Sequence, residues 1–147
     1  MRAVVTRVSS ASVTIDGAVE GAIEKGYLIL LGVGPEDTEE ICDKLAEKIC
    51  NLRVFEDENG KMNLSLEQVG GAMLVISQFT LYADTSSRRP GFSRAAKPDL
   101  AIPLYERFLD RCRQRGFQVE HGQFGADMKV ASVNDGPVTI LFDTEIK

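Results

Sequence analysis

Two short segments concentrate the side chains of this 147-residue chain that are able to do chemistry. The first, Ser77-Gln78-Phe79-Thr80-Leu81, follows directly on the apolar run that begins at Ala72. It gathers hydroxyls, a carboxamide and an aromatic face within a few positions, at the C-terminal end of an expected buried strand. Such strand ends hold ligand groups well, because the sheet fixes them rigidly. Main-chain N–H groups there can polarise a carbonyl, and Phe79 can pack against a base or sugar. On residue chemistry alone the plainer reading, a strand passing into a polar turn, is the stronger. The second segment, Asn134-Asp135-Gly136-Pro137-Val138-Thr139, lies between two strand-like runs. Read alone it is a hairpin turn. Its Gly-Pro step can be trans or cis, and Gly34-Pro35, which ends a strand, shows how little the dipeptide says by itself.

Most other catalytic constellations are excluded. His121 is the single histidine, and no motif surrounds it, so a Ser-His-Asp triad has no support. There is no Gly-x-x-x-x-Gly-Lys-Ser/Thr phosphate loop and no His-Glu-x-x-His metal pair. Cys42, Cys50 and Cys112 are odd in number, lie in helix-like segments and form no Cys-x-x-Cys. They read as free buried thiols of a reducing compartment rather than zinc ligands. Glu56, Asp57 and Glu58 are adjacent acids before a turn, and the spacing that follows supplies no further calcium ligands. No metal or cofactor is expected.

The elements that must position these segments follow from periodicity. Ala3–Val8 and Ala11–Ile15 alternate as half-buried strands do, and Asp16-Gly17 turns the chain into Val19–Ile23. Tyr27–Val33 and Ala72–Phe79 are apolar runs that suit central strands covered on both faces. A helix is expected after Asp37, read as its N-cap with Glu40 reaching back, and Ile41, Leu45, Ile49 and Leu52 form its apolar stripe. Arg53–Phe55 suits a short strand before the Asn59-Gly60 turn, and Asp84–Ala96 reads as a long loop. Pro98 opens a second helix whose Leu100, Leu104, Tyr105, Phe108 and Cys112 face inward, with Gly116 ending it; Pro103 is expected to bend or shorten its first turns. Phe117–Glu120, Met128–Val133 and Val138–Asp143 complete the strands. The interleaving gives a mixed α/β fold with two helices covering a sheet. No repeat or linker divides residues 1–147, so one domain is expected.

Composition sets further bounds. The apolar content of 44% is ordinary for a folded domain. No apolar run approaches the roughly 20 residues needed to cross a membrane, and the start of the chain does not read as a signal peptide, so the expected location is the cytoplasm. A net charge of −5 argues against nonspecific nucleic-acid binding through a basic surface. Its distribution is uneven. Asp16 to Glu67 carries thirteen acids and five bases, whereas Ser86 to Arg115 carries eight bases and three acids. A local basic face can hold RNA phosphates while the rest of the surface repels them; a solvated helix and polar loop is the plainer account.

Taken together, Ser77-Gln78-Phe79-Thr80 and Asn134-Asp135-Gly136-Pro137-Val138-Thr139 resemble the paired signature of the D-aminoacyl-tRNA deacylases. Met1-Arg2-Ala3-Val4-Val5, Arg7, Arg89-Pro90-Gly91-Phe92-Ser93 and Asp127-Met128 agree, and the similarity spans the whole chain. The resemblance implies a three-layer β/β/α fold and a homodimer with active sites at the subunit interface. It implies hydrolysis of the ester joining a D-amino acid to the 3′-terminal adenosine of tRNA, a proofreading step, without cofactor, membrane or DNA. Ser77, Gln78, Phe79 and Thr80 would be the catalytic segment. The Gly136-Pro137 bond would be cis and inserted into the partner's site, with Arg7 holding it and Met128 flanking the pocket.

Such a site must read handedness while ignoring side-chain identity. A rigid main-chain wedge does this by filling the space that an L side chain needs. Glycine offers nothing to exclude, so glycyl-tRNA is an expected substrate. A noncatalytic homodimer that binds tRNA or a nucleotide is the alternative.

Overall fold

The computed structural model describes residues 1–146. In chain order the first elements are β1 (Arg2–Ile15), β2 (Ala18–Ile23), β3 (Gly26–Gly32), α1 (Glu39–Cys50), β4 (Phe55–Glu56) and β5 (Met62–Leu64). They are followed by β6 (Ala72–Ser77), a 3₁₀ turn (Phe79–Tyr82), α2 (Pro98–Gln114), β7 (Val119–His121) and β8 (Lys129–Asp143). β4 and β5 form a separate small hairpin.

β1 is the axis of the main sheet. β2 and β3 pair antiparallel with its two halves on one edge, and β8 runs antiparallel along its other edge. β6 and then β7 extend the sheet in parallel beyond β3. The sheet curls until β2 approaches β7. At Gly21 a Cβ would stand only 3.1 Å from the His121 carbonyl oxygen, so the small residue permits the near closure.

Side-chain alternation sorts the apolar residues into two cores. Tyr27, Ile29 and Leu31 of β3, with Met73 and Val75 of β6, face the helices. Leu28, Leu74 and Ile76 point the other way, into the curl, where they meet Val8, Ala11 and Val13 of β1 and Ile23 of β2. This is the physical content of a β/β/α arrangement: both faces of β3 and β6 are covered, as their unbroken apolar runs require. β1 crosses between the two cores. Ala3 and Val5 belong to the helix side, and an irregularity between Val8 and Ser10 shifts the alternation by one residue, so Ala11 and Val13 face the curl.

The helices pack through Leu45 and Ile49 of α1 and Leu104, Phe108 and Cys112 of α2. Each fully buried Leu, Ile or Phe contributes about 1.5–3 kcal/mol. A partly exposed ion pair contributes about 0–1 kcal/mol. The double contact of Arg107 with Asp43, at 2.8 and 2.9 Å, therefore sets the register of the helices more than their stability. It also holds the Asp43 carboxyl below the usual carboxylate range, through the Arg107 hydrogen bond.

Several elements differ in detail from the sequence reading. Thr38, not Asp37, caps α1, accepting from the Ile41 N–H. Asp37 is engaged elsewhere: its carboxylate accepts from the Met1 ammonium at 2.7 Å and the Gly34 N–H at 2.6 Å. α2 continues through Pro103, which sits on the exposed side near the helix start and removes only one hydrogen bond there. β6 ends at Ser77, two residues before Phe79, and the short strand after α1 begins at Phe55 rather than Arg53. The three cysteines are buried and free, as expected.

Candidate active site

The first segment sits where β6 stops. The Gln78 N–H makes a last ladder bond to the Leu31 carbonyl at 2.8 Å, and the chain then winds into the 3₁₀ turn. Gly32 of β3 permits this: a Cβ there would be 3.0 Å from the Gln78 carbonyl oxygen and 3.2 Å from Leu81 Cβ. Arg2 secures the far end of the turn. It donates to the Leu81 carbonyl at 2.7 Å, and its guanidinium lies 4.5 Å from the centroid of the Tyr82 ring.

Within the turn, the Leu81 N–H donates to the Gln78 carbonyl and the Ala83 N–H to that of Thr80. The N–H groups of Phe79 and Thr80 find no acceptor among the described residues, as expected for the first donors of a helical turn. The Gln78 carboxamide donates to the Thr80 hydroxyl. Phe79 is 55% exposed although aromatic, and its ring meets Phe92 edge-on with centroids 5.1 Å apart.

A cleft of about 280 Å³ opens beside this turn. Ser77, Gln78 and Phe79 form one wall, and Phe124 and Met128 contribute to the other. The structure thus brings Met128, distant in sequence, against the catalytic candidates. Thr80 does not line the cleft, and its hydroxyl accepts from the Gln78 carboxamide.

The second segment is not a hairpin turn, contrary to its reading in isolation. Both flanking runs belong to one strand, β8, and both pair with β1. Thr139 is opposite Thr6 and Asn134 is opposite Val8, so Asp135, Gly136, Pro137 and Val138 all face the single residue Arg7. The excess stands out from the sheet as a wide bulge, with Asp135, Gly136 and Pro137 exposed. The signal that misled the sequence reading was the turn chemistry of Asn-Asp-Gly-Pro. A long antiparallel partner on β1 overrides it.

Side chains brace the bulge from both sides. The Arg7 side chain, 6% exposed, donates to the Asp135 carbonyl at 2.9 Å and to the Val54 carbonyl at 2.6 Å. The Asn134 carboxamide oxygen accepts from the Val138 N–H at 2.9 Å, and its nitrogen donates to the Thr139 hydroxyl at 3.0 Å. Gly136 has a φ of 137°, and the Gly136–Pro137 bond is cis. Asn134 belongs to the segment singled out in the sequence, whereas the role of the Val54 carbonyl has no sequence signal.

Arg7, Gly136 and Pro137 therefore form one cluster, and Ser77, Gln78, Phe79, Thr80 and Met128 another. None of the first cluster lines the cleft of the second in this chain. His121 is exposed, and among the described residues its ring meets only the neighbouring Gly122 carbonyl. Among the described residues no three His, Cys, Asp or Glu side chains gather as a metal site. Among the described residues no helix is long and apolar enough to cross a membrane.

Known proteins agree in fold and sequence. A c-Myc DNA unwinding element binding protein of solved structure superposes with a TM-score of 0.91 at 41% identity, covering 97% of this chain and 98% of that one. A probable eukaryotic D-amino acid tRNA deacylase superposes at 0.83 with 17% identity, covering 96% and 97%, which speaks for the fold alone. Proteins named D-aminoacyl-tRNA deacylase are similar over nearly their whole length. That of Symbiobacterium thermophilum is 59% identical over 99% of this chain and 97% of its own. That of Shewanella baltica is 61% identical over 95% and 97%. Fold and sequence are thus those of a deacylase, a class of hydrolases. The chain belongs to the D-Tyr-tRNA(Tyr) deacylase family, whose model matches residues 4–143.

Proposed function

We propose that this protein hydrolyses the ester between a D-amino acid and the 3′-terminal adenosine of tRNA, and spares the L-form. The observation that carries this reading is the cleft at the end of β6, where Ser77, Gln78, Phe79 and Met128 meet beside two unengaged main-chain donors. The aminoacyl ester is already activated, so a preorganised pair of N–H groups supplies much of what its hydrolysis needs. Removing one such donor from an oxyanion site typically costs about 10²–10³ in rate. In this reading the Phe79 and Thr80 amides hold the developing oxyanion, the Phe79 ring packs against the adenosine, and the terminal ribose 2′-hydroxyl positions the attacking water.

Attack by the Thr80 hydroxyl is the rival mechanism. It lacks a base: the hydroxyl contacts Gln78, whose carboxamide cannot accept a proton at neutral pH. Thr80→Ala is expected to retain the single-turnover rate within about tenfold. A complete loss with tRNA binding intact would restore the nucleophile.

Chiral selection belongs, in this proposal, to the bulge. Gly136 and Pro137 are exposed on one subunit and enter the cleft of a second in a homodimer, where their main-chain atoms fill the volume of an L side chain. Arg7 holds them in position. The protein reads only the absence of that volume, so glycyl-tRNA is also cleaved. Purified protein incubated with D-tyrosyl-, L-tyrosyl- and glycyl-tRNA tests this. Release is expected from the first and third, with the L-ester at background. Equal release of D- and L-tyrosine defeats exclusion, and binding without any release favours a noncatalytic tRNA-binding dimer.

A further inference from the structure

The eight bases between Ser86 and Arg115 divide into two sets in the folded chain. Those on α2 and at its C-cap are committed to neighbours. Arg107 pairs with Glu39 and Asp43, Arg111 with Asp43, Arg113 with Asp110, and Arg115 with Glu47. Those on the loop before α2 are not. Among the described residues no carboxylate lies within ion-pair distance of Arg88, Arg89 or Lys97, and Arg94 reaches Asp84 only at 3.9 Å. All four are exposed. From Asp84 to Lys97 the loop holds these four cations and one acid, on a chain whose net charge is −5. A solvated helix face explains the first set; it does not explain the second.

The loop is also anchored at the cleft. Its first half is closed on itself by the reciprocal Asp84–Gly91 main-chain bonds, at 2.7 and 2.9 Å. Phe92, the next residue, packs on Phe79. Further on, the Ala96 N–H donates to the Val33 carbonyl just beyond β3, beside the strand whose end starts the 3₁₀ turn. Phe92 and Ala96 thus fix the loop to the same end of the sheet as Ser77–Thr80, and Arg88 and Arg89 project from the tip that the Asp84–Gly91 bonds close.

We infer that the loop Asp84–Lys97 is a phosphate-binding rail, with Arg88, Arg89 and Lys97 gripping the backbone of the tRNA acceptor stem while the cleft takes the terminal nucleotide. This rests on the proposed function and deepens it. A cleft of this size accommodates little beyond one nucleoside and its amino acid, so affinity for a whole tRNA must come from outside it. Cations fixed beside the cleft supply it without base recognition, as phosphate contacts do. The surrounding negative charge repels other polyanions and leaves the rail as the one favourable approach.

The test compares wild type with an R88A/R89A/K97A variant on two substrates, D-tyrosyl-tRNA and D-tyrosyl-adenosine, which has no stem. With the tRNA, kcat/KM is expected to fall about thirtyfold at 0.15 M salt, mostly through KM. The slope of log kcat/KM against log salt is expected to flatten by about 2–3, near one for each lost phosphate contact. With D-tyrosyl-adenosine the fall is expected to stay below about threefold, because no phosphate of a stem is present. Equal losses on both substrates would show that the loop serves the cleft itself, and an unchanged salt slope would show that it grips no phosphate; either overturns the rail. Binding of uncharged tRNA, followed by fluorescence anisotropy in the same two proteins, separates this proposal from the one beneath it. If wild type released no amino acid, the proposed reaction would fall, whereas a weaker, less salt-dependent anisotropy signal in the variant would still uphold the rail.

Discussion

Alanine at position 136 is expected to cut the single-turnover rate on D-tyrosyl-tRNA by about a hundredfold. The melting temperature should fall by only a few degrees. Gly136 has a φ of 137°, a region that L side chains rarely adopt. A Cβ there would lie 2.7 Å from Val138 Cγ2 and 3.0 Å from both the Arg7 guanidinium and the Val138 nitrogen. Val138 is buried and Arg7 is braced by two carbonyls, so neither yields readily. The exposed bulge itself must shift. Such backbone strain costs about 1–3 kcal/mol, and each kcal/mol moves the Tm of a domain this size by about 2–4 °C. A displacement near 1 Å of a positioning element costs about 10² in rate. Function should therefore suffer far more than stability. Stopped hydrolysis assays alongside calorimetry decide it: a variant with full rate and an intact preference for D over L would remove the bulge from the site.

Arg7→Ala is expected to show the same imbalance for a different reason. The guanidinium is buried, yet among the described residues it meets carbonyl oxygens and no carboxylate. Its two charge-assisted bonds contribute, at about 1.5–3 kcal/mol each, against a desolvation penalty of several kcal/mol for an ion without a counter-ion. The terms nearly cancel, and a loss of about 1–2 kcal/mol on truncation is expected from the orphaned carbonyls. What the residue does supply is position, since it ties Asp135 in β8 to Val54 after α1 from opposite sides of one planar group. D-tyrosyl-tRNA hydrolysis should fall about a hundredfold or more, and Arg7→Lys should not restore it, because an ammonium cannot span both carbonyls in that fork geometry. Full activity in the lysine variant would show that charge alone suffices there.

How far the sequence disclosed this molecule depends on the residue asked about. β3 and β6 were legible because a strand covered on both faces must be apolar throughout, and Tyr27–Leu31 and Met73–Ile76 are. The two helices were legible from their stripes. The candidate catalytic segment was visible as a concentration of polar groups after β6, although the residues alone favoured a plain turn and only its coupling to the Asn134–Thr139 segment reversed that. The bulge was misread, since Asn-Asp-Gly-Pro obeys the same local rules whether the chain reverses or merely swells outward. Local chemistry does not report that both flanks pair with β1; that is fixed by long-range ladder bonds. The same limit hid Asp37, whose short spacing to Glu40 looked like a cap, and whose real partner is the ammonium at the start of the chain. The split of the basic stretch was equally invisible, because the acids that occupy Arg107 and Arg115 lie more than sixty residues away on α1.

Because four residues of β8 stand opposite one residue of β1, its two halves keep independent alignments along the same edge. The projecting piece can therefore lengthen or shorten without moving any rung on either side, at a loop-closure cost that grows only logarithmically with added residues. Inheritance can remodel the projecting tip while the scaffold beneath it stays as it is.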